Sequence, residues 1–150
     1  MTTDIEIHGD RAAAAEILAL TALWDQSVEQ LNADALVRGY IENVEMYDIG
    51  AALVGRHKLK ELWQSSFQYF GDNPKVFRRK IKLYASPELA FLHFYSKICG
   101  SNQPDPDASP WCRTTVCFHK MGSEWMVVHE HISLPVDLER GSPALLLAEP

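Results

Sequence analysis

The run WMVVHEHISL, Trp125 to Leu134, sets His129, Glu130 and His131 side by side within strongly strand-forming residues. Side chains alternate across a strand. An unbroken strand would therefore place Trp125, Val127, His129, His131 and Ser133 on one face and Met126, Val128, Glu130, Ile132 and Leu134 on the other. Two imidazoles on one face can move protons or bond a ligand near neutral pH, can ligate a metal, or can be structural groups bonded to neighbouring strands. A zinc site needs further ligands, for which only His93 or Asp48 qualify, so pocket lining is the favoured reading and no metal or other cofactor is expected. Glu130 points away from both histidines, toward the helices or a partner subunit, and reads as structural.

Asp48 closes the strand-like VEMYDIG beside Gly50. In a cavity walled by Tyr40, Trp63 and Phe67 its carboxylate would be a general base; otherwise it caps the turn. Arg113 shares a face with Trp111, Thr115 and Cys117, where a cation is either buried against a carboxylate such as Asp48 or offered to an anionic ligand. His93, flanked by Phe91 and Tyr95, reads first as a core histidine and second as pocket lining. Cys117 has no helix N-terminus before it and no fixed base, since His119 is only two residues away, so nucleophilic catalysis is set aside.

Holding such groups in place requires a substantial core. A chain of 150 residues, 47% hydrophobic and 23% charged, supports one domain over residues 1–150. The net charge of -6 argues against nucleic-acid binding. The one basic run, Arg78, Arg79, Lys80 and Lys82, interleaves with Phe77, Ile81 and Leu83 and reads as the solvated face of a strand. Three cysteines without paired zinc-ligand spacing favour reduced thiols and a cytoplasmic protein, and no apolar run approaches the ~18 residues of a membrane span.

Positions 1–9 read as ragged. Asp10 then caps a long amphipathic helix through Ile17, Trp24 and Val28, which Asn32 ends. A short second helix runs from Asp34 through Tyr40 and Ile41, followed by the strand Val44 to Gly50 and a third helix from Arg56 to Phe70. Strands follow at Lys75 to Ser86, Leu89 to Ser101, Trp111 to Met121 and from Trp125. Ser101 to Pro110 is a loop over one end of the sheet, and hairpin connections predict antiparallel pairing. In the tail, about 138–150, Leu145, Leu146 and Leu147 are expected to lie back on the body or on a partner. The order implies an α+β fold whose curved antiparallel sheet wraps the long N-terminal helix, with two further helices, leaving a conical cavity. Its uncovered face predicts a homodimer, and in a pure dimerisation scaffold exposed sheet residues such as Val116 and Phe118 would form the contact.

This order, together with MYDIG (Met46 to Gly50), WCRTTVCFHKMGSEW (Trp111 to Trp125) and VVHEHISLPVD (Val127 to Asp137), resembles the SnoaL-like, ketosteroid-isomerase-like members of the nuclear-transport-factor-like superfamily. The resemblance implies the cone-shaped, cystatin-like fold over roughly residues 10 to 150. Isomerases of that family place a general-base aspartate at the end of the first strand in a motif closing with glycine, which Asp48 in YDIG matches. Their oxyanion tyrosine and acid fall near Ser27 and Thr115, so neither donor is retained and steroid isomerisation does not follow. The expected function is a cofactor-independent isomerase, cyclase or lyase acting on an apolar carbonyl- or carboxylate-bearing substrate. Asp48 would be its base, with His129, His131 and Arg113 binding or polarising the substrate. The alternatives are a non-catalytic small-molecule binder and a homodimeric scaffold with a vestigial pocket.

Overall fold

The computed structural model describes residues 4–143 and 149–150. Its elements in chain order are β1 (Ile5–Gly9), α1 (Arg11–Glu29), α2 (Ala33–Val37), β2 (Tyr40–Tyr47), β3 (Ala52–Val54), α3 (Arg56–Phe70), β4 (Lys75–Ala85), β5 (Leu89–Cys99), β6 (Cys112–Met121), β7 (Glu124–Ser133), β8 (Val136–Asp137) and β9 (Ser142–Pro143). The expectation for Leu145, Leu146 and Leu147 falls outside the described residues.

Each helix starts and stops where local chemistry dictates. Asp10 accepts the Ala13 N–H at 2.9 Å and caps α1, while Asn32 accepts from Ala35 at 3.0 Å and caps α2. The second helix is shorter than its sequence pattern implied, because Tyr40 and Ile41 already belong to β2. Gly71, at φ 80, ends α3. The apolar stripes of α1 and α3, among them Ala14, Ile17, Val28, Leu59 and Trp63, are buried against the sheet.

Seven strands form one curved sheet in the order β1–β4–β5–β6–β7–β2–β3. The β4–β5, β5–β6 and β6–β7 pairs are antiparallel, as hairpin connections require. The complete sheet is nevertheless mixed, since β1 runs parallel to β4 and β2 parallel to β7. The N-terminal segment is therefore ordered, not ragged: Ile5 to Gly9 satisfies the free edge of β4 by pairing with Ile81 to Ala85. Gly9, at φ 90, makes the turn into α1, and a Cβ there would lie 2.1 Å from the Ala85 carbonyl oxygen.

Besides a register shift between Tyr40 and Glu45 in the β2–β7 pairing, one bulge in β7 and one in β4 decide which side chains face the helices. In β7, Cys117 pairs with His129 and Phe118 with Val127, so Val128 is an extra residue opposite the β6 partner. In β4, Arg79 pairs with Tyr95 and Lys82 with His93, so Lys80 and Ile81 share one partner position, and Lys80 adopts φ 51. Alternation changes phase at each. Inward positions run Trp125, Val127 and then Glu130 in β7, and Val76, Arg78 and then Ile81, Leu83 in β4.

Candidate functional site

Between the concave sheet face and the helices lies a cavity of about 1140 Å³. Its wall is largely aromatic and aliphatic, with Trp24, Trp63, Leu92, Phe94, Phe118 and Trp125 prominent. Polar and charged groups are interspersed with that apolar surface, as in a small-molecule site.

The innermost is a chain of three side chains. The Trp24 indole donates to Tyr40 Oη at 3.1 Å, and Tyr40 O–H donates to Glu130 Oε2 at 2.6 Å. Tyr40 enters from the first residue of β2, and Glu130 is turned inward by the Val128 bulge. Both are buried, Glu130 to 3% exposure. Burial pushes the Glu130 carboxyl above its ordinary value and is opposed by the Tyr40 hydrogen bond and the Arg78 charge; the Asp48 charge adds to the rise. Burial also lifts the Tyr40 hydroxyl well above its ordinary value, reinforced by the neighbouring Glu130. The arrangement places a carboxyl group with a raised pKa inside an apolar chamber.

A second polar group is Arg78, with a side chain 9% exposed. Its Nε and Nη2 bond Asp25 of α1, Nη2 at 2.5 Å, and its guanidinium stacks 4.2 Å from the centre of the Phe94 ring and 5.1 Å from that of Trp24. The solvated-face reading of Arg78 is thus corrected, because the Lys80 bulge separates Arg78 from the outward Lys82. Next to it in the sheet stands Ser96, whose hydroxyl lies 3.2 Å from that of Thr114, completing a polar rung across three strands.

Asp48 follows directly on β2 and lines the cavity. Its backbone N–H closes the turn to the Ala51 carbonyl at 2.8 Å, whereas its carboxylate makes no hydrogen bond among the described residues. The turn is thus closed without the side chain. The Cys112 thiol, also in the wall, is pushed up to about 11, mainly by burial and secondarily by the charge of Asp48, which makes it a poor nucleophile.

Asp48, Tyr40 and Trp63 stand together at the cavity. Phe67 supports it from behind, packed on Trp63 with ring centres 5.9 Å apart. The remaining candidates lie elsewhere. His129 and His131 face outward, their rings 4.8 and 5.5 Å from the Tyr47 ring, and His129 Nδ1 is 2.7 Å from the Glu45 carbonyl oxygen. The Val128 bulge is the reason, since it reverses the face of every later residue of β7. His93 and Thr115 pair in one outer row with His131, and Arg113 donates to Ser133 on that same face at 3.1 Å. Trp111 is buried outside the cavity, beneath the Lys97 ammonium, which lies 4.5 Å from its ring centre. The inward residues of β6 are Cys112, Thr114, Val116 and Phe118, so Val116 and Phe118 are cavity wall and not exposed contact residues. Among the described residues no three His, Cys, Asp or Glu side chains are grouped to hold a metal, and no helix is long and apolar enough to cross a membrane.

Sequence reasoning passed over Glu130, Arg78, Trp24 and Thr114 as site residues. A signal for Glu130 was present, since odd-numbered Trp125 and Val127 give way to even-numbered Ile132 and Leu134, the change of phase that a one-residue bulge produces. The β4 strand gave none for Arg78, because Phe77, Ile81 and Leu83 are all odd-numbered and read as one alternating face.

Structural comparison gives an NTF2-like protein of unknown function from Pseudomonas putida KT2440, 22% identical, with a TM-score of 0.84 over 94% of this chain and 99% of that one. An NTF2-like protein with a cystatin-like fold from Novosphingobium aromaticivorans is 18% identical, with a TM-score of 0.71 over 87% and 86% of the two chains. A candidate dehydratase of the NTF2-like family from Streptomyces avermitilis is 12% identical, with a TM-score of 0.70 over 82% and 96%. At these identities the likeness concerns the fold. No curated protein matches the chain. The SnoaL-like domain profile matches residues 17–137, which takes in α1 from Ile17 onward, α2, α3, β2 to β7 and every cavity residue named above, and the chain therefore belongs to the SnoaL-like domain family.

Proposed function

We propose that the protein is a cofactor-independent enzyme of isomerase, cyclase or lyase type that moves a proton on an apolar carbonyl compound held in the conical cavity. The observation that carries this reading is the Trp24–Tyr40–Glu130 chain, buried in the chamber whose wall also presents the unbonded carboxylate of Asp48. The two carboxyl groups have divergent surroundings, which is how one site comes to hold both a base and an acid. Asp48 removes a proton from the carbon beside the carbonyl, and the electron pair of that C–H bond moves onto the oxygen. Glu130, whose proton burial makes harder to lose, hydrogen-bonds or protonates the oxygen there. Returning the proton at another carbon gives isomerisation; expelling a β-substituent gives elimination. The histidines take no part in this scheme.

The likeness to the Streptomyces candidate dehydratase is compatible with proton abstraction beside a carbonyl. The roomy cavity supports a ligand-holding role over a vestigial one. A cytoplasmic setting is kept in the proposal, supported by three free cysteines. A homodimer is kept as well, supported by an outer sheet face that exposes Tyr84 and Phe91 at 37% and 42%.

The test is deuterium incorporation into a panel of cyclic ketones in heavy water, followed by NMR with and without protein. Protein-dependent exchange at the carbon beside the carbonyl, lost in Asp48→Asn, is expected. A ligand that binds the cavity and leaves without any exchange would instead assign the protein as a binder.

A further inference from the structure

The charges of the chamber specify the ligand more narrowly, an inference that rests on the ligand-holding reading above. Arg78 is the cation of the inner wall. Arg56 turns its Nη1 to the Tyr40 carbonyl at 3.3 Å, Lys97 donates to the Pro106 carbonyl and lies over Trp111, and Arg38 is exposed. Around Arg78 stand its partner Asp25 and the inner-wall carboxyl groups Asp48 and Glu130, while Glu16 and Glu124 add two more to the lining. Arg78 commits Nε and Nη2 to Asp25, whereas its Nη1 makes no hydrogen bond among the described residues and the side chain lines the cavity, which leaves that nitrogen as a donor for a ligand. Stacking between Phe94 and Trp24 prevents the guanidinium from turning away.

A positioned donor with its charge already balanced binds an oxygen acceptor without attracting a net anion. A carboxylate entering here would meet a neutralised guanidinium and two further carboxyl groups while losing its own hydration. A neutral carbonyl oxygen meets a charge-assisted donor at little desolvation cost. We propose that Arg78, aimed by Asp25, is an oxygen-binding residue of the cavity besides Glu130, and that its ligand is a neutral ketone or ester and not a carboxylate. This narrows the carbonyl-or-carboxylate class drawn from the sequence, in which Arg113 was the anion-binding candidate.

Three bicyclic probes of matched size test it: 2-tetralone, the hydrocarbon tetralin, and tetralin-2-carboxylate. Affinities are measured by calorimetry, and the ketone carrying a 13C carbonyl is followed by NMR. The wild-type protein should bind the ketone at least tenfold more tightly than either relative, with its carbonyl resonance moved downfield. Asp25→Asn, which unmasks the Arg78 charge, should raise carboxylate affinity tenfold or more. Arg78→Met, checked for folding by its melting transition, should erase the ketone's advantage over the hydrocarbon. Carboxylate binding as tight as ketone binding in the wild-type protein would overturn the proposal while leaving the cavity reading in place, as would an unchanged ranking in Asp25→Asn. Failure of all three probes to bind would overturn both.

Discussion

The two faces of the sheet are built from the same strands, yet they do opposite things with their polar residues. On the concave face each ionisable group has a defined setting: Glu130 under Tyr40, Arg78 clamped by Asp25, and Asp48 unbonded at the wall. On the convex face His129, His131, His93, Thr115 and Arg113 stand among solvent-facing neighbours, held by ring contacts with Tyr47 and a few hydrogen bonds. The richer cluster of functional residue types is thus on the wrong side for a ligand in the cavity, whereas the sparser one sits where water is excluded and interactions are strong. Which residue types occur together predicts chemistry less well than which face they share.

The largest effect expected from breaking this contrast is in Asp48→Asn, which should lower protein-dependent ketone exchange by about 100-fold or more while leaving the melting temperature nearly unchanged. Next comes Tyr40→Phe. It strands both the Trp24 indole N–H and the buried Glu130 oxygen, and denaturant titration should register a loss of about 1–3 kcal/mol.

Glu130→Gln sharpens the contrast through pH. The Glu130 carboxyl is raised in the folded state above its ordinary value of 4.5, so its contribution to stability is fully present below that value and is lost as pH rises through the folded value. Melting curves of the parent should therefore decline from about pH 4.5 upward relative to Glu130→Gln, whose profile should be flatter. The smallest effect belongs to the outer face: His129→Ala and His131→Ala should each change stability by no more than about 0.5 kcal/mol, and ketone exchange by less than about threefold.

Much of this architecture was legible in the sequence because its elements are long and strongly periodic. The third helix begins at Arg56 and ends at Phe70 as its apolar stripe and terminal glycine imply, and the Asp10 cap acts as its position suggests. Asp48, offered by a short motif, lies in the cavity lining, since no bulge intervenes between Met46 and the strand end. The errors arose where strict alternation was assumed. One extra residue, Val128, exchanges the faces of His129 and Glu130, and Lys80, adopting a left-handed conformation without being glycine, does the same for Arg78. The β1 strand escaped notice because five residues at a parallel edge gain their pairing from a partner more than 70 residues away, not from local pattern.

The account turns on the ligand occupying the concave face, and NMR titration with 2-tetralone tests this most directly. Side-chain methyls of Met46, Leu92, Val116 and Ile132 report the inner wall, and the imidazole ring protons of His129 and His131 report the outer one. Saturable shifts of the methyls with silent imidazoles are predicted. Imidazole shifts that track saturation while the inner methyls stay still would contradict the account and return the site to the histidine-bearing face.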